Sequence, residues 1–266
     1  MTIPTLLPLS TCVAGNRIEL LPSRGYDVRY RPDAGLIGFV FESQSGTHAF
    51  ASDRPTPFRT AANSLSFVPA DCDVMSKSAR GGEYLTIQGP LAQGFERRFN
   101  DHVDQTAIAA AHALRRLMLG TDAPDPLAIE AAAMVLRNAV SRAQAQDSMP
   151  AAGGHWMTKR RLTMVDDLIE ARMDQDLSVA ELAETLGLSS GFFTRAFRAA
   201  TGMSPHRYIL ERRLSRARRL LADGSETVAQ VAAACGFASH AHLCVCARRH
   251  LGVTPGELRT RTPHQT

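Results

Sequence analysis

The sequence contains no long uncharged apolar run. None approaches the ~18 residues that a membrane-spanning helix needs. The first ten residues, Met1–Ser10, carry no basic residue and only a short apolar run, so no secretory signal is expected. The five cysteines are odd in number and lack the spacing of a disulfide framework. These absences predict a cytoplasmic protein without a membrane partner.

Residues that bind metals or carry out catalysis are scarce in the first half of the chain. His48 is the only histidine before His102, whereas a metal site of the cupin type needs several histidine and carboxylate ligands. Near the end, Cys244 and Cys246 lie two residues apart on a predicted helix, so their side chains diverge. No nucleophile or phosphate-binding loop is recognisable. We therefore predict no catalytic residue, metal or cofactor, and keep a metal-dependent cupin-type enzyme as a rival hypothesis.

Lysine is absent from residue 191 to the end, where arginine is abundant. This stretch holds twelve arginines against four acids, a net charge of +8. Residues 1–154 carry fourteen basic and fifteen acidic residues, so the basic excess is local. Such a surplus suits a polyanion, because neutralising phosphates releases condensed counterions and thereby supplies affinity. A run of charged residues without any second signal is more simply interpreted as a solvated surface.

One short pattern occurs twice in the same part of the chain. The first copy runs over Val179–Leu188 and the second over Val228–Phe237, 49 residues later. Each copy is followed by a Gly-x-Ser/Thr-Pro signal, beginning at Gly202 and at Gly252, which are 50 residues apart. The basic surplus thus coincides with a duplicated unit, which favours a binding function over simple solvation.

Both copies have the features of a helix-turn-helix. Ser178 with Glu181 fits a capping box, and so does Thr227 with Gln230. Apolar residues then recur at steps of three and four, and a glycine follows that permits a sharp turn. A helical protein-interaction module is the alternative explanation of such a repeat. The local positive charge favours double-stranded DNA as the partner.

A basic segment joins the two copies. Ser204 followed by Pro205 is typical of a helix start, and a helix of 19 residues from Ser204 to Ala222 would be about 28 Å long. Adjacent major-groove faces on one side of a duplex lie ~34 Å apart, so this helix could hold both copies in register. We expect four of its arginines to face solvent or DNA: Arg212, Arg213, Arg216 and Arg219.

At these residues the sequence resembles the C-terminal domain of the AraC/XylS family of bacterial transcription regulators. The resemblance spans about residues 161–259 and includes Leu177–Ala183, Gly202-x-Ser204-Pro205-x-x-Tyr208 and Ala232-x-x-Cys235-Gly236-Phe237. It implies a seven-helix unit with two tandem helix-turn-helix motifs that enter successive turns of the major groove. It also implies promoter DNA and RNA polymerase as partners of a transcription regulator.

The helix after each turn is expected to contact DNA. In the first copy this helix is Ser189–Thr201, and Arg195 is the strongest candidate because a guanidinium can bond two guanine acceptors. A salt bridge from Arg195 to Glu184 is the competing interpretation. The predicted base contacts are Ser190, Gly191, Thr194, Arg195, Ser239, His240 and Cys244, and the predicted phosphate contacts are Arg198, Arg207, Arg248 and Arg249.

The second copy departs from the family pattern. With an offset of 50 residues, Arg195 corresponds to Val245 and Phe197 to Ala247, where the family commonly carries arginine and phenylalanine. The second contact helix, Ser239–Leu251, thus lacks one base reader and one core aromatic. We therefore expect the first copy to supply most of the sequence discrimination.

Residues 17–90 have the composition of β-strands. Short runs rich in β-branched and aromatic residues alternate with turn residues, at Tyr26–Tyr30, Leu36–Phe41, Leu65–Val68 and Tyr84–Ile87. The pattern predicts a small sandwich or partial barrel, and the resemblance implies a cupin-like sensor domain that binds a small molecule.

Two helices are expected after these strands, at Thr106–Leu119 and Leu127–Ala145. Their apolar stripes suit packing on the sheet, and a second chain in a homodimer is a further candidate partner for them. The chain is therefore predicted to be an α+β protein of two domains. Residues 1–146 would form a β-rich regulatory domain with two helices, 147–156 a linker, and 157–262 an all-α domain with two helix-turn-helix motifs.

Overall fold

The computed structural model describes residues 8–120, 123, 125–145 and 156–260, the last without its side chain. These residues belong to two compact units, a β-rich unit within Pro8–Met149 and a helical unit within Pro150–Thr266. The expectation of a β-rich unit followed by an all-α unit is confirmed. The exact domain and linker boundaries stay predictions.

Ten strands form two antiparallel sheets in the described part of the β-rich unit. The order is β1-β2-β9-β4-β7-β10 in the six-stranded sheet and β3-β8-β5-β6 in the four-stranded sheet. The strands are β1 (Leu9–Val13), β2 (Asn16–Leu21), β3 (Tyr26–Tyr30), β4 (Leu36–Val40), β5 (Gln44–Phe50), β6 (Thr56–Thr60), β7 (Ser64–Val68), β8 (Val74–Ser78), β9 (Tyr84–Gln88) and β10 (Phe99–His102). The four predicted strands are confirmed to within one residue at each end, and the cupin-like closure stays a prediction.

Two helices cover one face of the six-stranded sheet: α1 (Gln105–Leu119) and α2 (Pro126–Ala145). Side chains alternate along each strand, and the alternate positions on this face carry large buried side chains such as Phe39 and Phe67. His112 of α1 approaches Phe39 edge-on, with ring centroids 6.4 Å apart. The predicted packing of both helices on the sheet is thus confirmed, while the homodimer stays a prediction. The opposite face of this sheet looks toward the four-stranded sheet.

Polar contacts fix the two helices to the β-rich unit. The Asp104 carboxylate caps α1 by accepting the amide of Ala107 at 2.9 Å, and it also accepts from Arg142 of α2 at 2.7 Å. Arg115 of α1 forms an ion pair with Glu83 beside β9, at 3.3 Å, and both side chains are almost fully buried. Breaking such a buried pair by removing one partner is strongly destabilising, so α1 is firmly placed on the sheet.

Seven helices lie among the described residues 156–260, the number that the family resemblance implies. They are α3 (Lys159–Ala171), α4 (Val179–Thr185), α5 (Ser190–Thr201), α6 (Pro205–Asp223), α7 (Val228–Ala234), α8 (His240–Leu251) and α9 (Pro255–Thr260). The first of them, α3, begins after Thr158, whose side chain caps the helix by accepting the amide of Arg161. None of the described helices combines the length and apolarity that a membrane crossing requires.

Candidate nucleic-acid interface

Helices α4 and α5 form the first helix pair. The Ser178 hydroxyl accepts the amide of Glu181 at 3.2 Å, and the Glu181 carboxylate accepts the amide of Ser178 at 2.8 Å, which completes the predicted capping box. At the turn, the amide of Leu188 donates to the Ala183 carbonyl at 2.9 Å. Gly187 allows this turn with a φ of +65°, in the left-handed region that glycine tolerates.

Helices α7 and α8 form the second helix pair, and they repeat this geometry. Thr227 and Gln230 complete a capping box with the same two hydrogen bonds, at 3.2 and 2.8 Å. The amide of Phe237 donates to the Ala232 carbonyl at 2.9 Å, and Gly236 has a φ of +71°. The sequence repeat is therefore also a structural repeat, down to the hydrogen bonds of the turn.

The connecting helix α6 has 19 residues and contacts α5 as well as both helices of the second pair. The expectation that its arginines face solvent or DNA is wrong for two of them. Arg212 forms an ion pair with Glu170 of α3 at 2.8 Å. Arg213 donates to the carbonyl oxygens of Met173 and Gln175, at 3.2 and 2.6 Å, because those carbonyls lie just beyond the end of α3 and need donors. These arginines brace the unit.

The predicted base-contact residues of α5 lie at its exposed N-terminal half. Ser190, Gly191 and Arg195 are exposed. Thr194 is half-buried, and its hydroxyl donates to the Ser190 carbonyl at 2.8 Å. Within the described residues, neither a salt bridge nor a hydrogen bond joins Arg195 to Glu184, so the competing interpretation of Arg195 is not supported. Its guanidinium remains accessible to a duplex.

Two of the three predicted base contacts of the second pair, Ser239 and His240, are exposed. Ser239 caps the helix by accepting the amide of His242 at 3.1 Å. The half-buried Cys244 sulfur lies 3.4 Å from Nε2 of the exposed His240. Val245 is 65% exposed although it is apolar. This helix therefore presents an aliphatic side chain at the centre of its exposed surface.

The two contact helices differ at corresponding positions. Arg195 and Val245 are each the sixth residue of their helix, which supports the offset of 50 residues. Phe197 and Ala247 are both only 1% exposed, so they occupy equivalent core positions despite their difference in size. The replacement of a cation by valine at an exposed site is the clearest difference between the two pairs.

The four predicted phosphate-contact arginines are all exposed, but two have protein partners. Arg207 lies 4.0 Å from the Glu211 carboxylate. Arg248 lies 3.5 Å from Glu257 and also donates to the Gly252 carbonyl at 3.3 Å. These protein partners restrict the orientation of the Arg207 and Arg248 guanidinium groups. Arg198 and Arg249 follow the base-contact positions along α5 and α8. Arg207 lies on α6, whereas the structure places the other predicted contacts on α5, on α8 or at the N-cap of α8.

Trp156 is a neighbour of the first contact helix that sequence reasoning assigned to the linker. Its ring meets Phe192 of α5 edge-on, with centroids 5.5 Å apart and planes at 87°. Arg161 holds this tryptophan by donating to its carbonyl oxygen at 2.6 Å. A single aromatic residue after two glycines belongs to no helical or strand periodicity. The sequence therefore indicated its packing only through its hydrophobic character. As the single tryptophan of the chain, it is a natural fluorescent reporter of this helical unit.

Glu181 and Cys235 of the helical unit have strongly displaced pKa values. The amide and hydroxyl of Ser178, followed by Arg172, lower the pKa of Glu181 to about 2 because they stabilise its charged form. Burial raises the pKa of the Cys235 thiol to about 11, so this thiol stays protonated and unreactive near pH 7. Across the part of the chain that the structure describes, no group of three or more histidine, cysteine, aspartate or glutamate side chains is arranged to hold a metal.

Comparison with known proteins finds relatives of the helical unit. The profile of a family described as a helix-turn-helix domain matches residues 182–261. The probable transcriptional regulator LumQ of Photobacterium leiognathi is 34% identical over 94 residues, which are 35% of this chain and 38% of that protein. The HTH-type transcriptional activator RhaS of Escherichia fergusonii is 32% identical over 102 residues, which are 38% of this chain and 37% of that protein.

A solved structure extends the comparison. It is a transcriptional regulator from Chromobacterium violaceum, described by its AraC-type DNA-binding domain. That chain is 35% identical, and the match covers 41% of this chain and 96% of that one, with a TM-score of 0.38. The present chain spans less than two fifths of the length of the two curated relatives above. By the matched profile and these sequence identities, the chain belongs to the AraC/XylS family of transcription regulators.

Proposed function

We propose that this protein binds promoter DNA and regulates transcription, with both helix pairs acting as helix-turn-helix motifs. The observation that carries the proposal is the repeated geometry of the two pairs, each capped and turned by the same hydrogen bonds. The local charge of +8 from residue 191 onward supports it, because a basic surface is the electrostatic footprint of a nucleic-acid partner. The names of the relatives, which describe transcriptional regulators and activators, agree with it.

In this mechanism phosphate contacts position the protein and base contacts give sequence preference. Arg198 and Arg249, exposed on α5 and α8, would bind phosphates and set the orientation of each contact helix. Arg195 would then reach a guanine in the major groove, where a bidentate contact discriminates by ~1–3 kcal/mol. The helix α6, ~28 Å long, would keep the two contact helices about one turn of the duplex apart.

The two motifs would contribute unequally to sequence recognition. Val245 stands where the first motif has Arg195, so the second motif would offer an apolar contact, such as one with a thymine methyl group, in place of a guanine reader. Most of the discrimination would therefore come from the first motif, while the second would add phosphate binding. RNA polymerase would be the partner through which a bound regulator acts.

The β-rich unit would control this activity, through a small molecule or through dimerisation. A cavity of about 440 Å³ between its two sheets supports ligand binding. The exposed Leu127 and Met134 on α2, at 75% and 40% exposure, lie on a face where a second copy could pack. In either case the unit would change how the helix pairs are presented to a promoter.

Selection of bound duplexes from a random pool by the full chain tests the proposal. We expect an enriched site with two half-sites one helical turn apart, in which one half-site is more strongly constrained. Base changes in that half should weaken binding more in the native protein than in Arg195→Ala, and Val245→Arg should add a preference in the other half. An enriched pool with no common sequence would overturn the proposal, because it would leave only nonspecific binding.

A further inference from the structure

The cavity between the two sheets of the β-rich unit is built from inward-facing side chains of both sheets. Its volume of about 440 Å³ falls within the roughly 300–1,000 Å³ typical of small-molecule sites. Most of its lining is apolar, with Leu36, Val40 and Val68 on the six-stranded sheet and Val74 on the other. A ligand here would therefore bind mainly through burial of apolar surface.

One polar pair, Tyr84 and Ser66, lies on the cavity wall that the six-stranded sheet forms. The Tyr84 hydroxyl lies 2.8 Å from the Ser66 hydroxyl. The Ser66 hydroxyl donates to the Gly38 carbonyl oxygen at 3.3 Å. A Cβ atom at Gly38 would lie only 1.8 Å from the Tyr84 hydroxyl, so glycine is what makes room for it. Because Ser66 uses its proton in the bond to Gly38, the Tyr84 hydroxyl donates to Ser66. The Tyr84 oxygen can therefore still accept a hydrogen bond from a ligand.

Aromatic rings form part of the opposite wall. The His48 ring stacks on Phe58, with centroids 4.8 Å apart and planes at 10°, and it meets Phe50 at 4.7 Å and 65°. All three rings line the cavity. Offset stacking and edge-to-face contacts favour a flat ring as their next neighbour.

The cavity offers little to a charged ligand. Burial raises the pKa of Tyr84 to about 12 and raises that of Tyr26 as well, while burial lowers the pKa of His48, so these groups are neutral near pH 7. Among the described lining residues the arginines are Arg24 and Arg29, both exposed. The carboxylate is Glu19, whose charge is paired with Arg17 at 2.7 Å.

Two consequences follow for the ligand. A carboxylate or phosphate group beside the Tyr84–Ser66 pair would be buried without a cation, which is strongly unfavourable. A hydroxyl group at the same place would donate to the Tyr84 oxygen and be satisfied. From these contacts we infer that the cavity binds an uncharged ring compound, aromatic or alicyclic, whose hydroxyl group contacts Tyr84 and Ser66. The role of this compound as the effector rests on the proposed function.

Calorimetric titration of the full-length protein with three probes of matched shape tests the inference. We expect 2-naphthol to bind, and 2-methylnaphthalene, which lacks the hydroxyl, to bind about three- to tenfold more weakly, the range that one hydrogen bond supplies. The anion 2-naphthoate should bind at least about tenfold more weakly than 2-naphthol at pH 7. Equal or tighter binding of 2-naphthoate, or no binding of 2-naphthol, would overturn the inference.

Variants locate the site. Tyr84→Phe, which removes the acceptor oxygen, should reduce the affinity for 2-naphthol to that for 2-methylnaphthalene, and leave the latter within about twofold of its native value. Ser76→Phe, on the inner face of β8, should fill the cavity and abolish binding of both probes. Its control is Thr47→Phe, which adds the same side chain to the exposed face of the same sheet. Circular dichroism confirms folding, and unchanged binding by folded Ser76→Phe would place the ligand elsewhere and refute the inference.

The same samples separate this inference from the proposed function. Affinity for a selected duplex is measured with and without 2-naphthol. Protein that binds DNA but none of the probes refutes the ligand class and leaves the regulator intact. Protein that binds 2-naphthol as expected but no duplex refutes the regulator and leaves the site in the cavity standing.

Discussion

The Tyr208 hydroxyl donates a 2.6 Å hydrogen bond to the Asp166 carboxylate, and both side chains are buried. The two residues are 42 positions apart in sequence and join the connecting helix α6 to α3. The Tyr208 ring also meets Phe197 of α5 edge-on, with centroids 5.2 Å apart. Tyr208 of α6 therefore contacts two other helices, α3 and α5, and it fixes the first contact helix relative to the connector.

Tyr208→Phe should lower the free energy of unfolding of the helical unit by about 1–3 kcal/mol, because a buried carboxylate loses a donor while the ring packing remains. Urea unfolding followed by the fluorescence of Trp156 reports on this unit. Glu184→Gln, which changes an exposed carboxylate of α4 in the same unit, is the control and should stay within roughly 0.5 kcal/mol of the native protein. A loss no larger than that of the control would contradict the importance of this hydrogen bond.

The two turn glycines should respond differently to alanine. Both have positive φ, so each substitution costs about 1–2 kcal/mol of backbone strain. At Gly187 nothing lies within 4 Å of the added Cβ, whereas at Gly236 the Cβ would lie 2.5 Å from the Met173 carbonyl oxygen, a backbone atom. Gly236→Ala should therefore destabilise the unit clearly more than Gly187→Ala, by the same fluorescence measurement. Equal losses would mean that the contact at Gly236 relaxes freely.

Glu181 should make stability depend on pH in acid. Its folded-state pKa is lowered from 4.5 to about 2, so its contribution is present above pH 4.5 and is lost as the pH falls toward 2. Glu181→Gln keeps the capping hydrogen bonds, as Gln230 shows in the second pair. The stability gap between the native protein and this variant should be widest near pH 6 and should close between pH 4.5 and 2. A gap that stays constant over this range would exclude a contribution from the Glu181 charge.

Arg195 and Arg249 should differ in what they contribute to DNA binding. Arg195→Ala should weaken the selected site by ~1–3 kcal/mol and relax preference at one base position. Arg249→Ala should weaken all duplexes by a similar factor and leave the order of preference unchanged. Fluorescence anisotropy with the selected site and its single-base variants distinguishes the two. The same pattern from both variants would show that this division of roles is wrong.

Local features of the fold follow from the sequence because local interactions produce them. Capping boxes, turn glycines and the Ser204-Pro205 helix start each involve residues within four positions of one another. The partners of Arg212 and Arg213 could not be found in this way, since Glu170 and Met173 are about 40 residues away. No periodic pattern records such pairs.

The β-rich unit shows the same limit. Strand β8 was not predicted, because its sequence, Val-Met-Ser-Lys-Ser, has no clear apolar alternation. It becomes a strand through pairing with β3 and β5 on its two sides. The cavity depends on both sheets, and its key contact joins Ser66 to Tyr84 across the space left by Gly38. Sequence reasoning implied a ligand-binding domain from family resemblance but could not place this site.

The most direct test of the central claim is the affinity of the full-length protein for its selected duplex and for a random duplex, measured over a range of salt concentrations. Four phosphate contacts would give a slope of log affinity against log salt of about −4 for both duplexes. The selected duplex should bind at least about a thousandfold more tightly at physiological salt. A folded protein that binds neither duplex at low salt, or binds both equally, would contradict the account.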